Sequence, residues 1–287
     1  CSLVGSEMCI RDRSEALGIT CSADIGLMSI SYTCFDGESS FSHALSLTTT
    51  GVNTSRLNRL EHFVSDFPAE GIHMSGEALH SQLDEIERIH GLYSPAALGL
   101  ASALACGAFT FLLGGGPLEM ILAFAGAGIG NAIRCKLGKH HFTLFMCIAV
   151  SVSSACLVYA GFLKLAELLF HISVQHEAGY ICSMLFIIPG FPFITSGIDL
   201  AKLDMRSGLE RLAYAIIVVM VAAVSAWLMA LLLHLKPVDF LPLELSAAQR
   251  ILFRLLASFC GVFGFSVMFN SPVRLAAAAA FIGALSN

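Results

Sequence analysis

The stretch Ile187-Ile-Pro189-Gly190-Phe191-Pro192-Phe-Ile-Thr195-Ser196-Gly-Ile-Asp199-Leu-Ala-Lys-Leu-Asp-Met-Arg-Ser-Gly-Leu-Glu-Arg211 decides how the chain is read. It sits in the most apolar part of the sequence, yet as far as Leu200 it holds two prolines, two glycines and one carboxylate. A plain membrane anchor needs none of these. Each proline removes a backbone donor and crowds the preceding turn, so a helix must kink or break at Pro189–Pro192. In hydrocarbon the freed carbonyls are tolerated only where protein or a water-filled cavity satisfies them. Asp199, about two turns further on, costs about 2.5–3.5 kcal/mol at a bilayer centre. A broken helix beside a carboxylate is the pattern of a solute or ion site within a membrane protein. The competing reading is a packing kink, with Asp199 at an already wet helix end.

The composition agrees with a bilayer. Of 287 residues, 56% are hydrophobic and only 13% charged, with a mean hydropathy of +0.78. Soluble domains carry about 25% charged residues. A net charge of −5 with no basic run gives no reason to expect nucleic acid. Cys106, Cys147, Cys156, Cys182 and Cys260 lie in apolar runs, where cysteine acts as a small hydrophobe. No C-x-x-C or H-E-x-x-H spacing occurs, so neither a metal nor a cofactor is expected. His140-His141 reads as a solvated pair in a basic loop.

Residues 1–13 (CSLVGSEMCIRDR) look like a translated sequencing adapter, which places the natural N-terminus outside this sequence. Residues 14–93 read as a small α+β region. Asp24–Phe35 is rich in strand formers, Asp36-Gly37 signals a hairpin, and Phe41–Thr49 returns as a second strand. Thr54 or Ser55 would cap a helix through about Phe67, and Ser75 would open another. Thr48–Thr50, Asn53, Arg56 and Asp66 are polar enough to form a site, although a solvated cytoplasmic cap is the simpler reading.

Membrane helices are expected at Ser94–Leu113, Pro117–Ile133, Phe142–Leu163, Gly179–Leu200, Gly208–His234 and Ala248–Phe269, with a seventh cut off after Val273. Pro117 and Glu119 suit a helix start. Gly126-Ala-Gly128-Ile-Gly130 lies inside an apolar helix, so it reads as a close-packing face and not as a dinucleotide loop. The polar stretch from Lys236-Pro237 to Leu245 is the candidate module boundary. In the short loops one side carries Arg134, Lys136, Lys139, Lys202, Arg206, Arg211 and Arg274, and the other Lys164, Lys236, Arg250 and Arg254. That imbalance puts the first side, and the N-terminal region with it, in the cytoplasm. Asn270 and Arg274, beside the break at Ser271-Pro272, are second-rank site candidates.

The expected fold is therefore an α-helical polytopic membrane protein with a small N-terminal cytoplasmic α+β domain, about six complete transmembrane helices and a truncated seventh. The expected divisions are 1–13, 14–93, a five-helix module at 94–235, a linker at 236–247 and the start of a second module at 248–287.

With those residues in view, the chain resembles the bacterial threonine/serine exporter family (ThrE-type), whose two-component relatives include one linked to succinate export. The resemblance rests on Ile188-Pro189-Gly190-Phe191-Pro192-Phe193-Ile194, Asp199, Ser207-Gly208-Leu209-Glu210-Arg211 and Gly264–Arg274. It covers nearly the whole chain from Ser14. The family's glycine-, acid- and arginine-containing helix at the start and most of its second half, with a second helix break, have no counterpart in this sequence.

The resemblance implies a secondary exporter of small polar metabolites, threonine and serine first, driven by the proton gradient across the bacterial inner membrane. The expected substrate or ion path comprises Pro189, Gly190, Phe191, Pro192, Thr195, Ser196, Asp199, Arg211, Asn270 and Arg274. An unwound Pro189–Pro192 would expose backbone groups, and a half-helix start near Phe193–Ser196 would favour a substrate carboxylate. Asp199 would take the ammonium group or relay a proton. A dicarboxylate such as succinate is the alternative substrate, better served by Arg211 or Arg274. A membrane-anchored catalytic or sensing domain is the alternative class, though no nucleophile–base or metal motif supports an enzyme. The partners expected are the small-molecule substrate and the lipid bilayer, with a homo-oligomer as an open alternative to a monomer. Residues 14–287 alone are expected not to transport.

Overall fold

Local chemistry sets the helix starts. In the computed structural model, which describes residues 10, 14–15, 17–47, 51–140, 142–171, 176–236, 239–241 and 243–286, short polar side chains cap most of them. Asn53 accepts from Arg56 N at the start of α1 (Thr54–Asp66), and Ser75 accepts from Ala78 N at the start of α2 (Gly76–Glu87). Ser94 does the same for α3 (Pro95–Leu112), with proline in its first turn. Each such cap satisfies a donor that the first turn leaves orphaned. The first of these corrects the expected cap at Thr54 or Ser55.

Four further helices are long: α4 (Pro117–Lys139), α5 (Leu144–Phe170), α7 (Met205–Leu232) and α8 (Ala247–Met268). Between α5 and α7 come two 3-10 helices, Glu177–Tyr180 and Cys182–Ile187, and then α6 (Gly190–Ala201); the last helix is α9 (Val273–Leu285). Among the described residues, α3, α4, α5, α7 and α8 are each long and apolar enough to cross a membrane. The bent pair Glu177–Ile187 and Gly190–Ala201 together make a sixth candidate. The protein is a multi-pass helical membrane protein.

Chain contacts divide it into two compact units, Cys1–His90 with Pro189–Ile217, and Gly91–Ile188 with Val218–Asn287. The first unit holds an antiparallel meander, β1 (Thr20–Ile25), β2 (Ser29–Phe35) and β3 (Ser40–Ser46). The sequence suggested one strand over Asp24–Phe35, whereas the structure folds it in two at Gly26–Met28, where Gly26 N donates to Ser29 O at 2.8 Å. Apolar residues on both sides of that turn hide it from a reading by alternation. The Asp36-Gly37 hairpin forms as expected: Asp36 Oδ1 accepts from Glu38 N and Ser39 N, and Gly37 takes a φ of +101° that favours glycine. The Ser39 N–H, first among several donors, holds the Asp36 carboxyl below its ordinary range. Cys21 and Cys34 face each other across β1 and β2 with sulfurs 3.0 Å apart. Thr48–Thr50, His141 and Pro237 lie outside the described residues.

The second unit packs its helices through small residues. A Cβ on Gly126 would meet Ala155 O at 2.8 Å, and one on Gly130 would meet Ser151 O at 2.9 Å, so α4 lies backbone-close against α5. Gly264 of α8 approaches α3 in the same way: a Cβ on it would stand 2.5 Å from Ala101 O. Asn131 Nδ2 donates to Leu98 O, and Ser102 Oγ to Ala127 O, joining α3 to α4. Large apolar side chains such as Leu100, Ile121, Leu157 and Trp227 are exposed, and alanines and serines fill the interior. That inversion is expected where lipid is the solvent and van der Waals contact holds the helices together.

Candidate functional site

In the first unit the helix break falls slightly upstream of where the prolines suggested. Ile188 is extended and Pro189 caps α6, whose helical backbone already runs through Gly190, Phe191 and Pro192. Pro192 sits in the first turn, where its missing N–H would have had no intrahelical acceptor, so it is accommodated without a kink. The irregular backbone lies instead in the 3-10 segments before Ile188. The α6 start is therefore at Gly190 and not near Phe193–Ser196.

The Ser207–Arg211 motif acquires a physical reading residue by residue. Asp204 Oδ1 accepts from Ser207 N at the start of α7. Ser207 Oγ donates to Ile25 O, and Leu27 N donates to Glu210 Oε2 at 2.7 Å, which fixes the β1–β2 turn on α7. Arg206 bridges Asp24 and Glu210. Gly208 lets α6 and α7 meet: a Cβ there would stand 2.7 Å from Leu200 Cγ and 3.1 Å from Leu200 N. Ser196 Oγ donates to the Gly208 carbonyl across that contact at 2.9 Å.

Behind this contact, Asp199 is fully buried and Arg211 Nε lies 3.7 Å from its Oδ2. Arg211 is 16% exposed, so its guanidinium spans from the buried carboxylate toward open space. That space is a cavity of about 370 Å³ lined by Phe191, Pro192, Thr195 and Arg211, with Tyr214 one turn along α7. The N-terminal region closes it with Leu27, Leu47, the Gly51–Asn53 loop and the α1 residues Arg56, Leu57 and Leu60. Thr195 Oγ1 donates back to Phe191 O and Pro192 O, so its hydroxyl is engaged by the first turn of α6. Arg56 Nη2 donates to Glu87 O and Ile89 O, tying α1 to the end of α2.

Four of the ten expected site residues thus line one cavity, and Ser196 and Asp199 stand buried behind it. Pro189 and Gly190 form the helix start. Asn270 and Arg274 belong to the second unit. There Asn270, at a φ of +64°, accepts from Leu92 N at 2.7 Å, and Arg274 is exposed at the start of α9. Sequence reasoning missed Tyr214, although its spacing of three from Arg211 puts both on one helix face. It treated Asn53 and Arg56 as part of a solvated cap, because nothing local shows what that face covers.

A family model described as "Putative threonine/serine exporter" matches residues 7–234. The chain belongs to this threonine/serine exporter family. The family is one of transporters, and the match takes in the N-terminal sheet, the α6 break and the Asp199–Arg211 pair alike. No curated protein and no solved structure matches the chain.

Proposed function

We propose that this exporter carries threonine and serine outward across the bacterial inner membrane, using the proton gradient, with the α6–α7 cavity as its substrate site. The observation that carries the reading is the convergence on one cavity of a helix start and an arginine that reaches back to a buried carboxylate. The positive dipole end of α6 suits a substrate carboxylate, as does the Arg211 guanidinium. Asp199 supplies the opposite charge for an ammonium group, and the apolar wall from Leu27, Leu57 and Phe191 accommodates a short side chain. The excess of lysine and arginine on the Lys202–Arg211 side supports a cytoplasmic N-terminal region.

The test is counterflow of labelled threonine by the intact protein in proteoliposomes. Exchange that serine competes away, and that Asp199→Asn strongly reduces, is the expected result. Undiminished exchange by Asp199→Asn removes that carboxylate from the site. A dicarboxylate is the second reading, favoured by the two guanidinium groups, Arg56 and Arg211, on the same cavity. Succinate exchange without threonine exchange, lost on Arg211→Glu, would establish it.

A further inference from the structure

A second buried carboxylate stands in the other unit, and the cavity makes no use of it. Glu119, in the first turn of α4, is 1% exposed. Its Oε2 accepts from Gly116 N at 3.0 Å, completing the helix start. Its Oε1 lies 2.7 Å from Nδ1 of His176, whose side chain is 16% exposed. Tyr159 Oη donates to the His176 carbonyl at 2.6 Å, so α5 holds in place the backbone that carries the imidazole. Gly179 is needed for that arrangement, since a Cβ there would fall 2.1 Å from the Tyr159 oxygen.

Capping alone explains one carboxylate oxygen and not the other. A capping acid normally stays in water, whereas Glu119 is sealed, and its Oε1 faces a partly exposed imidazole. Imidazole is the side chain whose ordinary charge change falls between about pH 5 and 8. The other titratable groups facing Glu119 are neutral-type acids: Tyr159 from α5 and Cys182 from the second 3-10 helix. Cys182 in turn faces Cys106 and Thr110 of α3. Glu177, beside His176, is engaged by the backbone N–H of Lys236. Among the described residues, His176 is the basic group in ion-pair contact with Glu119.

We propose that Glu119 and His176 form the proton-binding site that couples transport to the gradient, an inference that rests on the proton-driven reading above. The imidazole takes a proton from water at Nε2 and passes its Nδ1 proton to Glu119 Oε1. The step leaves a neutral imidazole and a buried carboxylic acid, and no bond other than N–H and O–H changes. Glu119 stands at the end of α4 opposite Arg134, Lys136 and Lys139, which by the same charge asymmetry is the outer face, where the proton enters. Loss of the buried negative charge frees His176 and the Gly116–Glu119 cap to rearrange, which is the conformational signal.

Two measurements on the intact protein in proteoliposomes test this separately from the substrate. The first needs no substrate: infrared difference spectra between about pH 8 and pH 5. A protonated-carboxyl band is expected that E119Q removes and that H176Q displaces along the pH axis. Its absence from the wild-type protein, or its persistence in E119Q, overturns the proposal. The second is the pH profile of labelled-threonine efflux, normalised to its maximum. E119Q and H176Q are expected to flatten it, whereas E177Q keeps its shape. A wild-type profile retained by E119Q overturns the coupling role. A carboxyl band obeying the first test with no threonine flux in any protein upholds the proton site and overturns the threonine assignment instead. Should E119Q fail to fold, Y159F, which frees the His176 backbone, is expected to displace both the band and the profile.

Discussion

Two buried carboxylates, one in each unit, have been given opposite kinds of partner. Asp199 faces Arg211, a guanidinium that stays protonated at any physiological pH. Glu119 faces His176, an imidazole, the side-chain type whose ordinary charge change falls nearest neutral pH. The distances differ in the same sense, 3.7 Å against 2.7 Å. A long contact to a permanent charge is a loose pairing, for which a substrate's own groups can compete. A short contact to a switchable one suits the passage of a proton. Burial alone therefore says little about what an acid does; the partner's chemistry and the gap between them say more.

The contrast is open to attack at several points. Removing the permanent partner should have the largest effect. Arg211→Ala removes the ion-pair partner of a buried carboxylate and is expected to cost about 3–5 kcal/mol, read as a fall in the melting temperature of the purified protein. A melting temperature unchanged by Arg211→Ala would mean that the pair is not what holds α6 and α7 together. Next in size, Asp199→Asn keeps the shape and removes the charge. A drop in threonine exchange of about 10–100-fold is expected, from the roughly 1.5–3 kcal/mol that a hydrogen bond to a charged group contributes.

Smaller again is the backbone contact that brings the two helices together. Gly208→Ala forces a methyl group onto Leu200 and should cost about 1–3 kcal/mol, whereas Gly190→Ala, with open space around it, should be tolerated by comparison. Equal losses in both would break the link between the Ser207–Arg211 motif and helix approach. The smallest effect is a matter of rate. The Cys21 thiol is pushed up to about 11, by burial first and then by its bond to Cys34, so maleimide should label it slowly near neutral pH and faster as pH rises toward that value. Variants that loosen the first unit, Arg211→Ala above all, should accelerate the labelling, and E119Q should not. Acceleration by E119Q would show that the two carboxylates are not independent.

How far the sequence reached depended on whether a residue's partner was near it in the chain. The α6 break was legible, because proline and glycine act on their own backbone. Asp199 was legible too, as a charge where an apolar run allows none. The Gly126–Gly130 face could be read as packing from spacing alone, and the structure puts backbone against it. The cavity was only half legible. Arg56 meets it through a chain separation that no local pattern encodes, Tyr214 had only its spacing of three from Arg211 to mark it, and the 3-10 backbone before Ile188 has no periodic signature. Glu119 was read as a favourable first-turn charge, which it is, but His176 lies 57 residues away and nothing near it announces the pairing. The turn at Gly26 was lost for a simpler reason: strand formers flank it on both sides.

The Asn270 turn sets a clock. Leu92, just ahead of α3, is held by a side chain 178 residues later, and Tyr93 reaches the neighbouring Ser271 carbonyl over the same separation. At a synthesis rate of about 5–20 residues per second, α3 must wait roughly 10–40 s for the residues that latch it. For that interval α3 stands in the bilayer with its Ala101 face uncovered, because Gly264 on α8 has not yet been made. A helix made early is thus completed by one made late, and one face of α3 stays uncovered in the meantime.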